Sequence, residues 1–217
     1  MLTFFKISLI ALFASCGQPK ASPADAPVDG AAQEAVININ VNVFLYSFDT
    51  APQMSATFSD AEVAAAFAET NRIWDLAKIK FHVLAIQKLN FDASKFPAGS
   101  DALDAEGSKR MLSTLAPPRS GDAWNVIIFR KFFSGAPGAA GLYLAGIGTT
   151  HYTEINGKGE THYNILAHEL GHALGLEHGT DPTNLMTPGM PEIALNLDSA
   201  QIATARAQAV IGPFGMR

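Results

Sequence analysis

His168, His172 and His178 are spaced so that three imidazoles could meet at one point, and Glu169 stands beside the first of them. On an α-helix, side chains four residues apart share a face, about 5–6 Å apart at Cβ. His168 and His172 could therefore face one ion. Gly175 follows shortly after His172, and glycine suits the left-handed conformation that ends a helix. The chain could then turn back and offer His178 from outside the helix. Three neutral imidazoles with an open fourth position are the donor set of a catalytic zinc site, whereas structural sites close all four positions. Glu169, about a third of a turn from His168, could reach a water on the ion without binding the ion itself. Zinc lowers the pKa of bound water to about 7. A carboxylate so placed takes the proton as the water attacks a carbonyl, then passes it to the leaving amine. The bland alternatives are an amphipathic helix with surface histidines, or a zinc-binding copy without activity.

The rest of the chain has to position these groups. Val36 to Tyr46 alternates, with Ile37, Ile39, Val41, Val43 and Leu45 on one face and Asn38, Asn40 and Asn42 on the other. That pattern predicts a strand with one solvated side. Ser59 and Glu62 form a capping-box pair, and apolar residues then recur at helical spacing, predicting a helix over Asp60 to Ala77. Ile79, Phe81 and Val83 predict a second strand, and Val126 to Phe129 a buried central one. Asp101 to Leu115 could hold a helix ended by Pro117-Pro118. Gly135 to Gly148 reads as a loop and then a short edge strand around Leu142-Tyr143-Leu144. Thr149 to Ile155 and Glu160 to His162 flank Asn156-Gly157, a strong hairpin turn, and the second flank enters the histidine-bearing helix with Thr161 as its cap. A final helix starts near Asp198, with Gln201 completing a capping box, and runs to about Val210. Strands and helices in this order imply an α/β (α+β) domain, a mixed sheet packed with helices.

The chain has 217 residues, 48% hydrophobic and only 16% charged, with a net charge of −5. That supplies a substantial core in one domain and gives no basic surface for nucleic acid. The single cysteine, Cys16, rules out an internal disulfide framework and thiolate-bound zinc. Residues 1–15 read as a signal peptide, with Lys6 ahead of the apolar run Ile7 to Ala14 and small residues after it. Leu12-Phe13-Ala14-Ser15-Cys16 resembles the lipobox of bacterial lipoproteins, with Phe13 where Leu is usual. The resemblance implies cleavage before Cys16 and lipidation there. Residues 16–35, rich in Ala, Pro and Asp, then read as a flexible tether, with a short pro-segment as the weaker alternative. Residues 36–217 form the folded domain. The expected location is the bacterial cell envelope, anchored by lipid at an outer membrane or cell surface; the alternative is a periplasmic or secreted protein.

The run from His168 to His178, followed by Gly179-Thr180-Asp181-Pro182-Thr183-Asn184-Leu185-Met186-Thr187-Pro188, resembles the matrixin branch of the metzincin zinc peptidases. The resemblance implies a metzincin-like catalytic domain: a mixed twisted sheet with an antiparallel edge strand, an active-site helix, and a small C-terminal subdomain with one helix. It implies one catalytic Zn2+ and a peptide or protein substrate. Met186 would be the Met-turn methionine, an apolar floor beneath the zinc, which is nearly the same claim as a core methionine. Asp181 would buttress that turn through hydrogen bonds; its alternative is a plain turn-forming residue before Pro182. The edge strand at Leu142, Tyr143, Leu144 and Ala145 would receive an extended peptide as an added strand.

The departures are specific. Ser134-Gly135 stands where matrixins carry a His-Gly-Asp segment for a second, structural zinc. His151 could match another ligand of that site, but reads first as a hydrogen-bonded surface or hairpin histidine. Glu154, Asn156 and Glu160 could bind Ca2+, but read first as a solvated hairpin tip. Neither ion has support from the sequence. Gly179 replaces the usual serine, and no tyrosine follows Met186 at the astacin or serralysin spacing. With Cys16 as the lipid site, latency by a cysteine switch is not expected. His82 reads as a packing or surface histidine and His162 as support for the helix start. Two other functions compete: a zinc hydrolase acting on cell-wall peptides, and a non-catalytic surface lipoprotein.

Overall fold

The computed structural model describes residues 34–98, 105–118, 121–130, 141–144, 149–153, 164–188 and 194–213. Its spine is β1 (Ile37–Phe48), which pairs in parallel with β2 (Ile79–Phe91) on one side and β3 (Trp124–Phe129) on the other. Beyond β3 lies β5 (Thr149–Thr153), also parallel, and the edge strand β4 (Gly141–Leu144) pairs antiparallel with β5. The order is β2-β1-β3-β5-β4. Parallel neighbours need a crossover, and helix α1 (Asp60–Trp74) supplies the one between β1 and β2.

Helices pack on both faces of the sheet, so β1 is covered on both sides beyond its first residues. Ile39, Val41, Val43 and Leu45 point into a core shared with α1, with α3 (Asn164–Ala173) and with α4 (Ser199–Ile211). Phe44, Tyr46 and Phe48 point the other way, onto Met111, Leu112 and Leu115 of α2 (Ala105–Leu115) and onto Ile127 and Phe129 of β3. The expected solvated side is therefore real only at Asn38 and Asn40; Asn42 is buried. Further along the same face α2 packs on Phe44, Tyr46 and Phe48, and the alternation in β1 alone carries no sign of α2.

Several boundaries differ from the sequence reading. The α-helical part of α1 stops at Trp74, and Asp75–Ala77 tightens into a 3₁₀ turn. The turn ends at Lys78, a non-glycine residue at φ 53°. Strand β2 runs on to Phe91, past the point where its alternation fails. The failure comes from the pairing with β1: Val41 pairs with Val83 but Asn42 with Ala85, so Leu84 is an extra residue, 59% exposed, at a bulge. Strand β5 pairs with β3 and β4; the hairpin expected across Asn156-Gly157 falls on residues 154–163, outside the described part. The caps of α1 and α4 are as the sequence implies. Ser59 accepts from the Glu62 N–H while Glu62 accepts from the Ser59 N–H, and Asp198 and Gln201 repeat the exchange. Residues 101–104 also fall outside, so α2 is seen only from Ala105.

The second core, against α2, makes a direct stability demand. Leu112 is wholly buried there, so Leu112→Ala should lower the unfolding free energy by about 2–5 kcal/mol. Urea denaturation measures it; a loss near zero would mean that α2 does not seal this face.

Candidate metal centre

Helix α3 is buried on nearly every side from Asn164 to Gly171. His168 and His172 lie one turn apart on it. The helix ends in a reversal that the sequence anticipates at Gly175, whose φ is 79°. The Leu176 N–H reaches back to the Gly171 carbonyl and the Gly175 N–H to the His172 carbonyl, both at 3.0 Å. This paired closure around a left-handed glycine is the Schellman arrangement. It turns the chain so that His178 comes back to the helix. His178 Nε2 lies 3.2 Å from His168 Nε2 and 3.1 Å from His172 Nε2. Among the described residues, this is the one cluster of potential metal ligands.

The donor set fits a cation. The His168 Nδ1–H donates to the Leu185 carbonyl at 2.7 Å, and the His172 Nδ1–H donates to the Leu176 carbonyl at 2.8 Å. A carbonyl oxygen only accepts, so in each neutral ring the proton sits on Nδ1 and the lone pair on Nε2. Lone pairs then crowd one small volume, and a proton on His178 could relieve only one of the two close approaches. Tetrahedral bonds of about 2.0–2.1 Å to zinc place ligand nitrogens roughly 3.3 Å apart, close to the separations found. Charge points the same way. Burial pushes His168 down to about 4, against the Leu185 bond that raises it, with repulsion from His172 and His178 lowering it further. His172 is lowered, first by burial and then by His178, despite its bond to Leu176. Neutral imidazoles are the ligating form. His178 is exposed, which leaves the cluster open toward solvent.

Around the three rings the other predicted residues divide. Glu169 follows His168 on α3 and is buried, 4% exposed. Met186 is fully buried beneath the helix at Gly171. A Cβ at Gly171 would overlap Met186 Sδ, and would come within 3.1 Å of Met186 Cε and 3.5 Å of Trp74 Cζ2. Sequence reasoning passed over Gly171 and the bracing role of Trp74, whose indole N–H donates to the Ala167 carbonyl at 3.1 Å. A signal for Gly171 exists. Glycine inside a helix costs about 0.5–1 kcal/mol relative to alanine, so its presence asks for a close neighbour. Asp181 makes local bonds: its Oδ1 accepts from the Thr183 N–H and hydroxyl, both at 2.9 Å, which holds the carboxyl below its ordinary range. The Thr187 hydroxyl donates to the Asp181 backbone carbonyl. His82 bonds Asn38 at the sheet surface, 2.7 Å apart, and is not part of the cluster.

The edge strand β4 places Leu142 opposite His151 and Tyr143 opposite Thr150, and α3 packs against both β4 and β5. Ala145 lies outside the described residues. So do Cys16 and the whole of residues 1–33, Ser134-Gly135, Glu154, Asn156, Glu160, Thr161 and His162, and with them the readings placed on those residues.

Comparison with known proteins adds a family. The family model for matrixins matches residues 40–204. No curated protein matches the sequence significantly. Among solved structures, mature mirolysin of Tannerella forsythia, in complex with a cleaved peptide, is similar with a TM-score of 0.55 at 12% identity. The alignment covers 80% of this chain and 92% of that one. Metalloproteinase-II of Bacteroides fragilis is similar with a TM-score of 0.51 at 14% identity, over 81% of this chain and 54% of that one. At such identities the likeness establishes the fold.

Burial of His168 predicts a pH dependence. Its folded-state pKa lies near 4 and the unfolded value near about 6.5. As pH falls through about 6.5 the unfolded chain takes up the proton first, so stability drops until about pH 4 and then levels. Urea midpoints of the chelator-treated protein across this range should fall with acid, and His168→Asn should flatten the slope. An unchanged slope in that variant would refute the assignment to His168.

Proposed function

The chain belongs to the matrixin family and is a zinc metallopeptidase, and from that premise we propose that it is an endopeptidase with His168, His172 and His178 as zinc ligands and Glu169 as general base. The observation that carries this reading is the convergence of three Nε2 atoms at 3.1–3.2 Å, with two of the rings held in the ligating tautomer by carbonyls. A zinc ion held by His168, His172 and His178 would supply Lewis acidity, making a bound water acidic near pH 7. Glu169 adjoins the first ligand on the buried helix, and in this reading its carboxylate takes the proton from the attacking water. It then returns that proton to the leaving amine nitrogen. Met186 forms the apolar floor under α3.

Substrate binding falls to β4. As the edge strand it has one side unpaired among the described strands, and α3 lies against it. An extended peptide laid along Leu142, Tyr143, Leu144 and Ala145 makes main-chain bonds with little demand on side chains. That mode suits cleavage of loops and unfolded segments. The fold shared with mirolysin, which was captured with a cleaved peptide, supports it.

Lipidation of Cys16, with residues 16–35 as a tether and residues 36–217 as the peptidase, belongs to the same proposal and places the enzyme at the cell envelope. Two acyl chains hold a protein to a membrane stably, since each buried methylene contributes about 0.8 kcal/mol.

Two experiments decide between these readings and their rivals. With casein as substrate, the wild type should cut and chelator should stop it. Glu169→Ala should lose turnover yet keep one zinc per chain; a variant that still cleaves removes Glu169 from its role. In detergent phase partitioning of expressing cells, the wild type should enter the detergent phase and Cys16→Ser the aqueous phase. Identical partitioning of the two would end the lipoprotein reading.

A further inference from the structure

The turn carrying Leu185 and Met186 is tied to helix α4 through a pair of side-chain amides. Asn184 Nδ2 donates to Gln201 Oε1 at 2.7 Å, and Gln201 Nε2 donates back to Asn184 Oδ1 at 3.1 Å. Each oxygen is used twice. Asn184 Oδ1 also accepts from the Met186 N–H at 2.9 Å, and Gln201 Oε1 from the Asp198 N–H at 3.0 Å. The Leu185 N–H is meanwhile bonded to the Asn196 carbonyl at 2.7 Å. Two carbonyls leave this turn toward the metal ligands. That of Leu185 takes the His168 Nδ1–H, and that of Met186 takes the Gly179 N–H at 2.9 Å, next to His178.

A helix cap alone does not require this arrangement. A glutamate at position 201 would accept the Asp198 N–H equally well, and its charge would suit the helix N-terminus. Only an amide can do that and also donate to Asn184. Asn184, 8% exposed, cannot turn over without giving up the Met186 N–H.

We propose that Asn184 and Gln201 are positioning residues for the metal centre. Their amide pair locks the turn so that the Leu185 and Met186 carbonyls orient His168 and the segment bearing His178. This inference rests on the reading of the three histidines as zinc ligands.

The test uses the full chain, with zinc affinity measured by competition against a chromophoric chelator and the absorption spectrum of the Co2+-substituted protein. Gln201→Glu keeps the cap but sets a carboxylate oxygen against Asn184 Oδ1. It should weaken zinc binding about 10–100-fold, as loss of outer-sphere partners does. It should also shift the cobalt bands, with helix content by circular dichroism unchanged. Asp198→Ser, which exchanges one capping residue for another and leaves the amide pair, should match the wild type in both readouts. Wild-type affinity and spectrum in Gln201→Glu overturn the proposal, and so does an equal loss in Asp198→Ser, because the cap alone would then explain it. If Gln201→Glu does not fold, Asn184→Ser replaces it, with the same loss expected and the same meaning if none is seen. A wild-type protein that binds no zinc, or binds it undiminished after His168→Ala, sinks the ligand reading itself. Normal wild-type binding with an unaffected Gln201→Glu sinks the positioning role alone.

Discussion

Two backbone carbonyls govern the chemistry of this protein. Those of Leu185 and Leu176 each take the Nδ1–H of a histidine and thereby leave its other nitrogen bare. An imidazole with the opposite tautomer would present a proton to the ion instead of a lone pair. Each carbonyl has its own mechanical origin. The Leu176 carbonyl stands where it does because the helix closes around Gly175. The Leu185 carbonyl comes from a distant turn that packs under the same helix.

The rest of the fold keeps α3 and that turn in contact. Trp74 at the end of α1 bonds the Ala167 carbonyl, and Met186 fits against Gly171 with no room for a Cβ between them. The sheet supports α3 from one face while α2 closes the other face with a second, separate cluster. Burial on this scale also strips water from His168, which favours its neutral form and so its lone pair. Packing and acid–base state are thus one effect at this site.

Local signals carried well wherever the determinant was itself local. The caps at Ser59 and Asp198 and the left-handed Gly175 each depend on residues within one turn, and each takes the form the sequence implies. Signals failed where a remote element intervened. The solvated face expected of β1 gives way at Phe44, Tyr46 and Phe48 to a cluster shared with α2, and the alternation of β2 is broken at Leu84 by a bulge set against β1. The 3₁₀ turn at Asp75–Ala77 shortens α1 although its apolar spacing runs on. Asn184 and Gln201 carry no mark of each other along the chain; their bond exists because α4 folds back on the turn.

From the residues alone followed the donor types, the spacing that puts two of them on one helical face, and the glycine that releases the third. Those follow from helix geometry and backbone sterics, which act over a few residues. The tertiary structure alone decided that the third ring arrives within 3.1–3.2 Å of the others, which tautomer two of the rings hold, and how deeply His168 is buried. Each of these depends on groups supplied from other parts of the chain, and only packing brings such groups together.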